Sequence, residues 1–172
     1  MARALVPGSF DPVTNGHLDI IGRAAAMFES VQVAISRNAS KTPLFTLEER
    51  KQMLVEVCSN WPNVTIEAFD GLLVEYAHRS GAGVIVKGLR AVSDFEYELQ
   101  MALMNRRLCA GVETVFLMTG ADYSYLSSSI VKEIARLGGS VEGLVPNSVG
   151  QRLQQKLPAE CGARERRIAG AR

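Results

Sequence analysis

The chain lacks the marks of several protein classes. Its three cysteines, Cys58, Cys109 and Cys161, are widely spaced and form no CxxC, so neither a disulfide framework nor a zinc knuckle is indicated. Reduced thiols and a cytoplasmic location are expected instead. No apolar run approaches the ~20 residues of a membrane span, and the N-terminus enters strand pattern directly, without the regions of a signal peptide. A surplus of one charge is missing too: the formal net charge is +1. That argues against a nucleic-acid surface and against a polybasic membrane patch, so any anion site is local. Solenoid-period repeats and linker-like interior segments are absent. What remains is an ordinary globular composition, 47% hydrophobic and 22% charged, in a length suited to one domain.

Within that length, apolar runs of strand size alternate with helical patterns. Strands are expected at Ala4–Val6, Val31–Ile35, Val64–Phe69, Gly83–Val86 and Glu113–Met118. Helices are expected over His17–Phe28, from a capping box at Thr46–Glu49 to about Cys58, over Leu72–Arg79, from a second box at Ser93–Glu96 to about Leu108, over Ser127–Leu137 and over Pro146–Leu157. The alternation predicts a single-domain α/β fold over residues 1–157, Rossmann-like and doubly wound, with a five-stranded, mostly parallel sheet covered by helices on both faces. In such sheets ligands bind beyond the carboxyl ends of the strands. The polar, glycine-rich segments of this chain follow its strands, including Gly8–His17, Ser36–Lys41, Lys87–Arg90 and Thr119–Ser129. Residues 158–172, rich in Ala, Gly, Glu and Arg, read as a basic, flexible tail; a basic arm gripping a partner has only the arginines behind it.

The organising stretch is Gly8-Ser9-Phe10-Asp11-Pro12-Val13-Thr14-Asn15-Gly16-His17. A strand leads into a turn of Gly, Pro and Asn, and a helix begins beside a histidine. Unpaired N–H groups, the positive end of the helix dipole and an imidazole suit an anion, and the expected anion is a nucleotide phosphate. His17 after such a turn reads as a phosphate donor rather than a capping surface histidine. Asp11 reads as a brace for backbone N–H groups, not as a base. Spacing alone leaves Lys41 open between a solvated loop lysine and a second anion contact. Lys87 and Arg90 flank a glycine after a buried-looking strand; two cations there need an anion or acids such as Asp94. Ser127, Ser128 and Ser129 cluster hydroxyls and amides at a helix start, where capping explains one serine and not three. Glu98 alone reads as a solvent-facing acid. Phe95, Leu99, Ala102 and Leu103 form one apolar stripe for the sheet, while Met101, Met104 and Leu108 extend it toward another subunit.

Thr14-Asn15-Gly16-His17 after Ser9-Phe10-Asp11-Pro12 resembles the T/H-x-G-H signature of the nucleotidylyltransferase superfamily, and Tyr125–Glu133 resembles its serine-rich second signature. Thr at position 14, with Phe45–Arg50, Lys87-Gly88-Leu89-Arg90 and Asp94–Glu98, is similar to the bacterial phosphopantetheine adenylyltransferase family over about residues 4–157. The resemblance implies transfer of the adenylyl group of ATP to 4′-phosphopantetheine, giving dephospho-coenzyme A and pyrophosphate, by direct in-line attack. Mg²⁺ would be held mainly by the nucleotide phosphates, without a protein-held metal site. It implies His17, Lys41, Arg90 and Ser128 at the reacting centre. ATP would be held by Ser9, Phe10, His17, Gly88, Leu89, Arg90, Glu98, Tyr123, Ser124, Tyr125, Leu126, Ser127, Ser128 and Ser129, and phosphopantetheine by Ser9, Lys41, Leu73 and Lys87. Family members are typically homohexamers inhibited by coenzyme A, with no nucleic-acid or membrane partner. Ser9 replaces a common Thr and keeps the hydroxyl; Lys87 replaces a common Arg and turns a bidentate fork into a point charge. A nicotinamide or nicotinate mononucleotide adenylyltransferase is the nearest alternative, although those usually carry His at position 14, and a non-catalytic nucleotide-binding oligomer is another.

Overall fold

The computed structural model describes residues 2–37, 42–90 and 92–157, apart from the side chains of 92–94. Its strands are β1 (Arg3–Gly8), β2 (Ser30–Ser36), β3 (Val64–Phe69), β4 (Val84–Leu89) and β5 (Glu113–Met118). The helices are α1 (Asn15–Met27), α2 (Leu47–Val57), α3 (Leu73–Arg79), α4 (Val92–Leu108), α5 (Ser128–Arg136) and α6 (Asn147–Lys156), with a 3₁₀ turn at Ala121–Tyr123. The strands form one sheet in the order β3-β2-β1-β4-β5, with parallel pairing at each step. This is the expected Rossmann-like architecture, and the order reverses between β1 and β4, where such sheets open a ligand crevice.

Period-two alternation divides the sheet's side chains between two layers. Ala4, Val6, Val31, Val33, Ile35, Val86 and Leu117 share a core with residues of α1, α2, α5 and α6. Leu5, Ala34, Ile85 and Phe69 pack with Val74 and Ala77 of α3 on the opposite face. Central strands buried on both faces read as continuous apolar runs, which is why β1, β2 and β4 stand out in the sequence.

Several boundaries differ from expectation. β1 continues through Pro7 to Gly8, and β4 continues to Leu89, so Lys87, Gly88 and Leu89 lie within the strand rather than in a loop after it. Gly88 belongs there because α1 lies against it: a Cβ would come 2.9 Å from Ile20 Cγ1. α4 begins at Val92, so Ser93 is inside the helix and the second capping box does not start it. The first box does, with Thr46 and Glu49 exchanging both hydrogen bonds at the start of α2. The largest correction concerns the apolar stripe assigned to the sheet: Phe95, Leu99 and Leu103 are exposed in the single chain, as are Met101, Met104 and Leu108. Among the described side chains of that helix the buried one is polar, Asn105. Lys41, Cys161 and the tail 158–172 lie outside the described residues.

Candidate active site

Strand ends and helix starts converge on a cavity of about 270 Å³ above β1 and β4. That is slightly below the usual ligand-pocket range of roughly 300–1,000 Å³, so it suits part of a ligand, such as its phosphates, with the remainder toward the mouth. Ser9, Phe10, His17, Lys87, Gly88, Arg90, Leu126, Ser127, Ser128 and Ser129 line it together. These ten come from four separate stretches of sequence. The other described candidates are not part of its lining. Leu73 packs on the α3 face of the sheet, Leu89 is buried, Ser124 bonds its own turn at the Ala121 carbonyl, and Tyr125 is exposed. Tyr123 lies against Gly16, behind the wall.

His17 is held by the helix it helps to start. Thr14 is the N-cap of α1, and the Thr14 N–H donates to His17 Nδ1 at 3.0 Å, while the His17 N–H faces Thr14 Oγ1 at 3.4 Å. This is a capping box with imidazole in the place usually held by Glu or Gln. Because Nδ1 accepts that hydrogen, the neutral ring carries its proton on Nε2. Burial, and then the positive charge of Arg90, lower the His17 pKa from 6.5 to about 4. The cavity therefore holds a neutral imidazole donor at physiological pH, unsuited to service as a general base. The ring that completes the capping box also lines the cavity, so a capping histidine and a cavity histidine are not alternatives here.

Phe10 has a left-handed backbone, φ 47°, and is 1% exposed as a whole residue. The ring stands edge-on to His17 at 5.1 Å between centroids, and a Cβ on Gly8 would come within 2.8 Å of it. With an apolar side chain, the polar groups Phe10 can offer the cavity are those of its backbone.

Asp11 braces N–H groups as expected, but those of a distant segment. It accepts from Leu44 N at 3.0 Å, from Phe45 N at 2.8 Å and from Lys132 Nζ at 2.7 Å. Burial pushes its carboxyl up, but Lys132 and the two N–H groups outweigh this and hold it below the ordinary value. One carboxylate thus ties the first motif, the segment before α2 and helix α5 together. Lys132 and Arg50 are positioning groups that the sequence reading passed over. Lys132 lies four residues after Ser128 on the same helical face, and Arg50 lies four after the Thr46 cap, spacings that could have marked both.

The serines divide their work. Ser127 caps α5 by accepting from Ile130 N, and the Ser128 hydroxyl donates to the Pro12 carbonyl at 2.7 Å. Arg90 Nη1 donates to the Leu126 carbonyl at 3.0 Å. Lys87 Nζ lies 3.2 Å from Glu98 Oε1, both half-buried, so the acid partner of Lys87 on α4 is Glu98; the side chain of Asp94 is outside the described residues. Arg23 and Asp19 of α1 hold the end of β5 through the Met118 carbonyl and the Gly120 N–H. Among the described residues lining the cavity there is no carboxylate, and among all described residues no group of three or more His, Cys, Asp or Glu could hold a metal. The wall is made of N–H donors, hydroxyls and cations, the complement of a phosphate chain.

The chain matches the cytidylyltransferase-like family over residues 5–134. It is 58% identical over 149 residues to the phosphopantetheine adenylyltransferase of Alkaliphilus oremlandii, covering 87% of this chain and 95% of that one. It is 54% identical over 156 residues to the phosphopantetheine adenylyltransferase of Alkaliphilus metalliredigens, covering 91% and 99%. Among solved structures, one named "Putative Nicotinate-nucleotide Adenylyltransferase", from Vibrio parahaemolyticus, superposes with a TM-score of 0.68 at 14% identity, covering 93% of this chain and 97% of the other. That likeness is one of fold. With motif, fold and cavity in agreement with relatives at this identity, the chain belongs to the phosphopantetheine adenylyltransferase family of cytidylyltransferase-like proteins.

Proposed function

We propose that this chain transfers the adenylyl group of ATP to 4′-phosphopantetheine, releasing pyrophosphate and forming dephospho-coenzyme A. A phosphate oxygen of the acceptor attacks the α-phosphorus. The new P–O bond joins the two halves of the product, and the bond from the α-phosphorus to the bridging oxygen breaks as pyrophosphate leaves. Such a transfer needs alignment and charge neutralisation more than covalent help.

The observation that best supports this reading is the His17 tautomer. With Nδ1 occupied by the Thr14 N–H, Nε2–H is a fixed neutral donor, suited to an α-phosphate oxygen whose charge grows as the bonds exchange. Arg90, Ser127, Ser128 and Ser129 would hold the nucleotide phosphates. Lys87, together with Lys41 from the loop outside the described residues, would hold the acceptor phosphate. Glu98, which pairs with Lys87, would contact the nucleotide. Mg²⁺ in this reading arrives with the nucleotide and supplies charge neutralisation; the wall offers it hydroxyls and no carboxylate, which suits a metal held by phosphates. The exposed apolar face of α4 supports a homohexamer, and gel filtration returning a monomer at micromolar concentration would count against one. Feedback inhibition by coenzyme A and a cytoplasmic location belong to the same reading. No helix among the described residues is long and apolar enough to cross a membrane.

The test is pyrophosphate release from ATP by the purified chain with each acceptor in turn. Turnover is expected with 4′-phosphopantetheine and not with nicotinate or nicotinamide mononucleotide. The reverse preference would overturn the assignment.

A further inference from the structure

Arg50 is a buried cation that the reaction as described does not use. Only 6% of it is exposed. Its Nη1 donates to the Ser9 carbonyl at 2.7 Å and reaches the Ser36 carbonyl at 3.4 Å, while its Nε lies 3.4 Å from the Thr46 carbonyl. The three carbonyls belong to the turn after β1, the last residue of β2 and the N-cap of α2. A guanidinium in such a place is costly unless its hydrogens are placed and its charge is answered. Asp11 answers the charge, but Asp11 is already bonded to Lys132. Two cations and one carboxylate therefore lie beneath the first motif.

We propose that Arg50 is a positioning residue that turns the Ser9–Phe10 peptide so that the Phe10 N–H faces the cavity as a phosphate donor. That peptide is trans and planar, so its C=O and N–H point in opposite directions. Arg50 holds the Ser9 oxygen on the α2 side, and the Phe10 N–H is then directed away from α2. Phe10 lines the cavity although the residue as a whole is almost wholly buried, and with an apolar side chain the polar groups it can turn toward a ligand there are those of its backbone. The φ of 47° is a strained one for a residue with a Cβ, and the ring, wedged between Gly8 and His17, cannot swing out to relieve it. A turn under strain needs an anchor on its carbonyl, and Arg50 provides the short bond.

This inference rests on reading the cavity as a phosphate site, but not on the identity of the acceptor, so inorganic pyrophosphate with Mg²⁺ is a suitable probe. The full chain, its Arg50→Lys variant and its Arg50→Met variant are titrated by calorimetry, and the Phe10 amide is followed by NMR. In the unaltered chain the Phe10 amide proton is expected to move downfield as pyrophosphate binds. Losing one hydrogen bond to a charged ligand corresponds to about tenfold or more in Kd for Arg50→Met, and to about threefold or more for Arg50→Lys, which keeps the charge without the fork. Both variants should lose the Phe10 shift. Arg50→Met leaves the Ser9, Ser36 and Thr46 carbonyls and Asp11 without their cation and should melt below the parent, so binding and the Phe10 shift are read well below its melting transition. Unchanged Kd in both variants, an Arg50→Lys variant identical to the parent, an intact Phe10 shift in the variants, or no pyrophosphate binding by the parent would each overturn the proposal. If Arg50→Met does not fold, Arg50→Lys decides; if neither folds, Arg50 is structural and the proposal fails. A chain that binds pyrophosphate with the Phe10 shift yet does not adenylylate 4′-phosphopantetheine would refute the proposed function and leave this inference standing.

Discussion

The backbone nitrogen of Thr14 and Nδ1 of His17 are 3.0 Å apart, and that hydrogen bond decides which side of the imidazole can act on a ligand. The ring that starts helix α1 is the ring that faces the cavity, so its tautomer is set by secondary structure rather than by substrate.

The first prediction concerns pH. The unfolded imidazole titrates near 6.5 and the folded one near 4, so the unfolded chain takes up the proton first. The His17 contribution is therefore complete above pH 6.5, and stability is lost as pH falls toward 4. The shift from 6.5 to about 4 corresponds to roughly 3 kcal/mol over that interval. Asp11, also lowered but from 3.8, loses its contribution below that window. Urea unfolding between pH 7 and pH 4 should give this slope, and His17→Ala should flatten it. A parent curve with no slope there would contradict a ring held neutral in the folded chain. Nitrogen NMR should report the Nε2–H tautomer at pH 6.

For the reaction itself, His17→Ala should lower kcat by several orders of magnitude while ATP affinity changes little, since its bond strengthens as the α-phosphorus changes partners. It should also lower stability by about 1 kcal/mol, because the Thr14 N–H loses its acceptor in the capping box. Equal losses in kcat and in ATP binding would make the residue merely structural.

At Asp11, truncation to Ala strands Lys132 and the N–H groups of Leu44 and Phe45. A cost of about 3–5 kcal/mol in chemical denaturation is expected, with Asp11→Asn clearly milder because it keeps an acceptor. A loss below about 1 kcal/mol for the Ala variant would mean that the three segments are held by other contacts.

Gly88→Ala would place a methyl 2.9 Å from Ile20 Cγ1 and 3.3 Å from its Cδ1, so α1 must shift or Ile20 must turn. Overpacking of this kind costs about 1–3 kcal/mol. Ile20→Ala made alongside should cost less than the two single changes added, because it removes the obstructing atoms. Strict additivity in melting experiments would show that Gly88 is not where helix and strand touch.

Much of this was legible in the chain, for identifiable reasons. The buried strands were apolar apart from Gln32 in β2, and the Thr46 cap carried the usual Glu at its third position. The Thr14 cap was harder to see because His17 fills the place where an acid is customary. β4 was read short because Lys87 and Gly88 look like loop residues; one is neutralised by Glu98 and the other makes room for Ile20. The apolar positions of α4 were only partly informative: Phe95 meets Phe116 of β5, but Leu99 and Leu103 are exposed, since periodicity reports that a face seeks cover and not what covers it. Arg50 and Lys132 were overlooked because a cation in sequence looks solvated, and only tertiary contacts reveal a buried one.

The Ser128 hydroxyl has a single hydrogen, and it is spent on the carbonyl of Pro12. Toward a bound nucleotide, that oxygen presents only electron pairs, which a phosphate oxygen would repel and a hydrated cation or an adenine amino group would welcome. Any anion seated at the start of α5 must then rely on the peptide nitrogens there, and exchanging Ser128 for Ala should disturb the tether to Pro12 before it disturbs charge recognition.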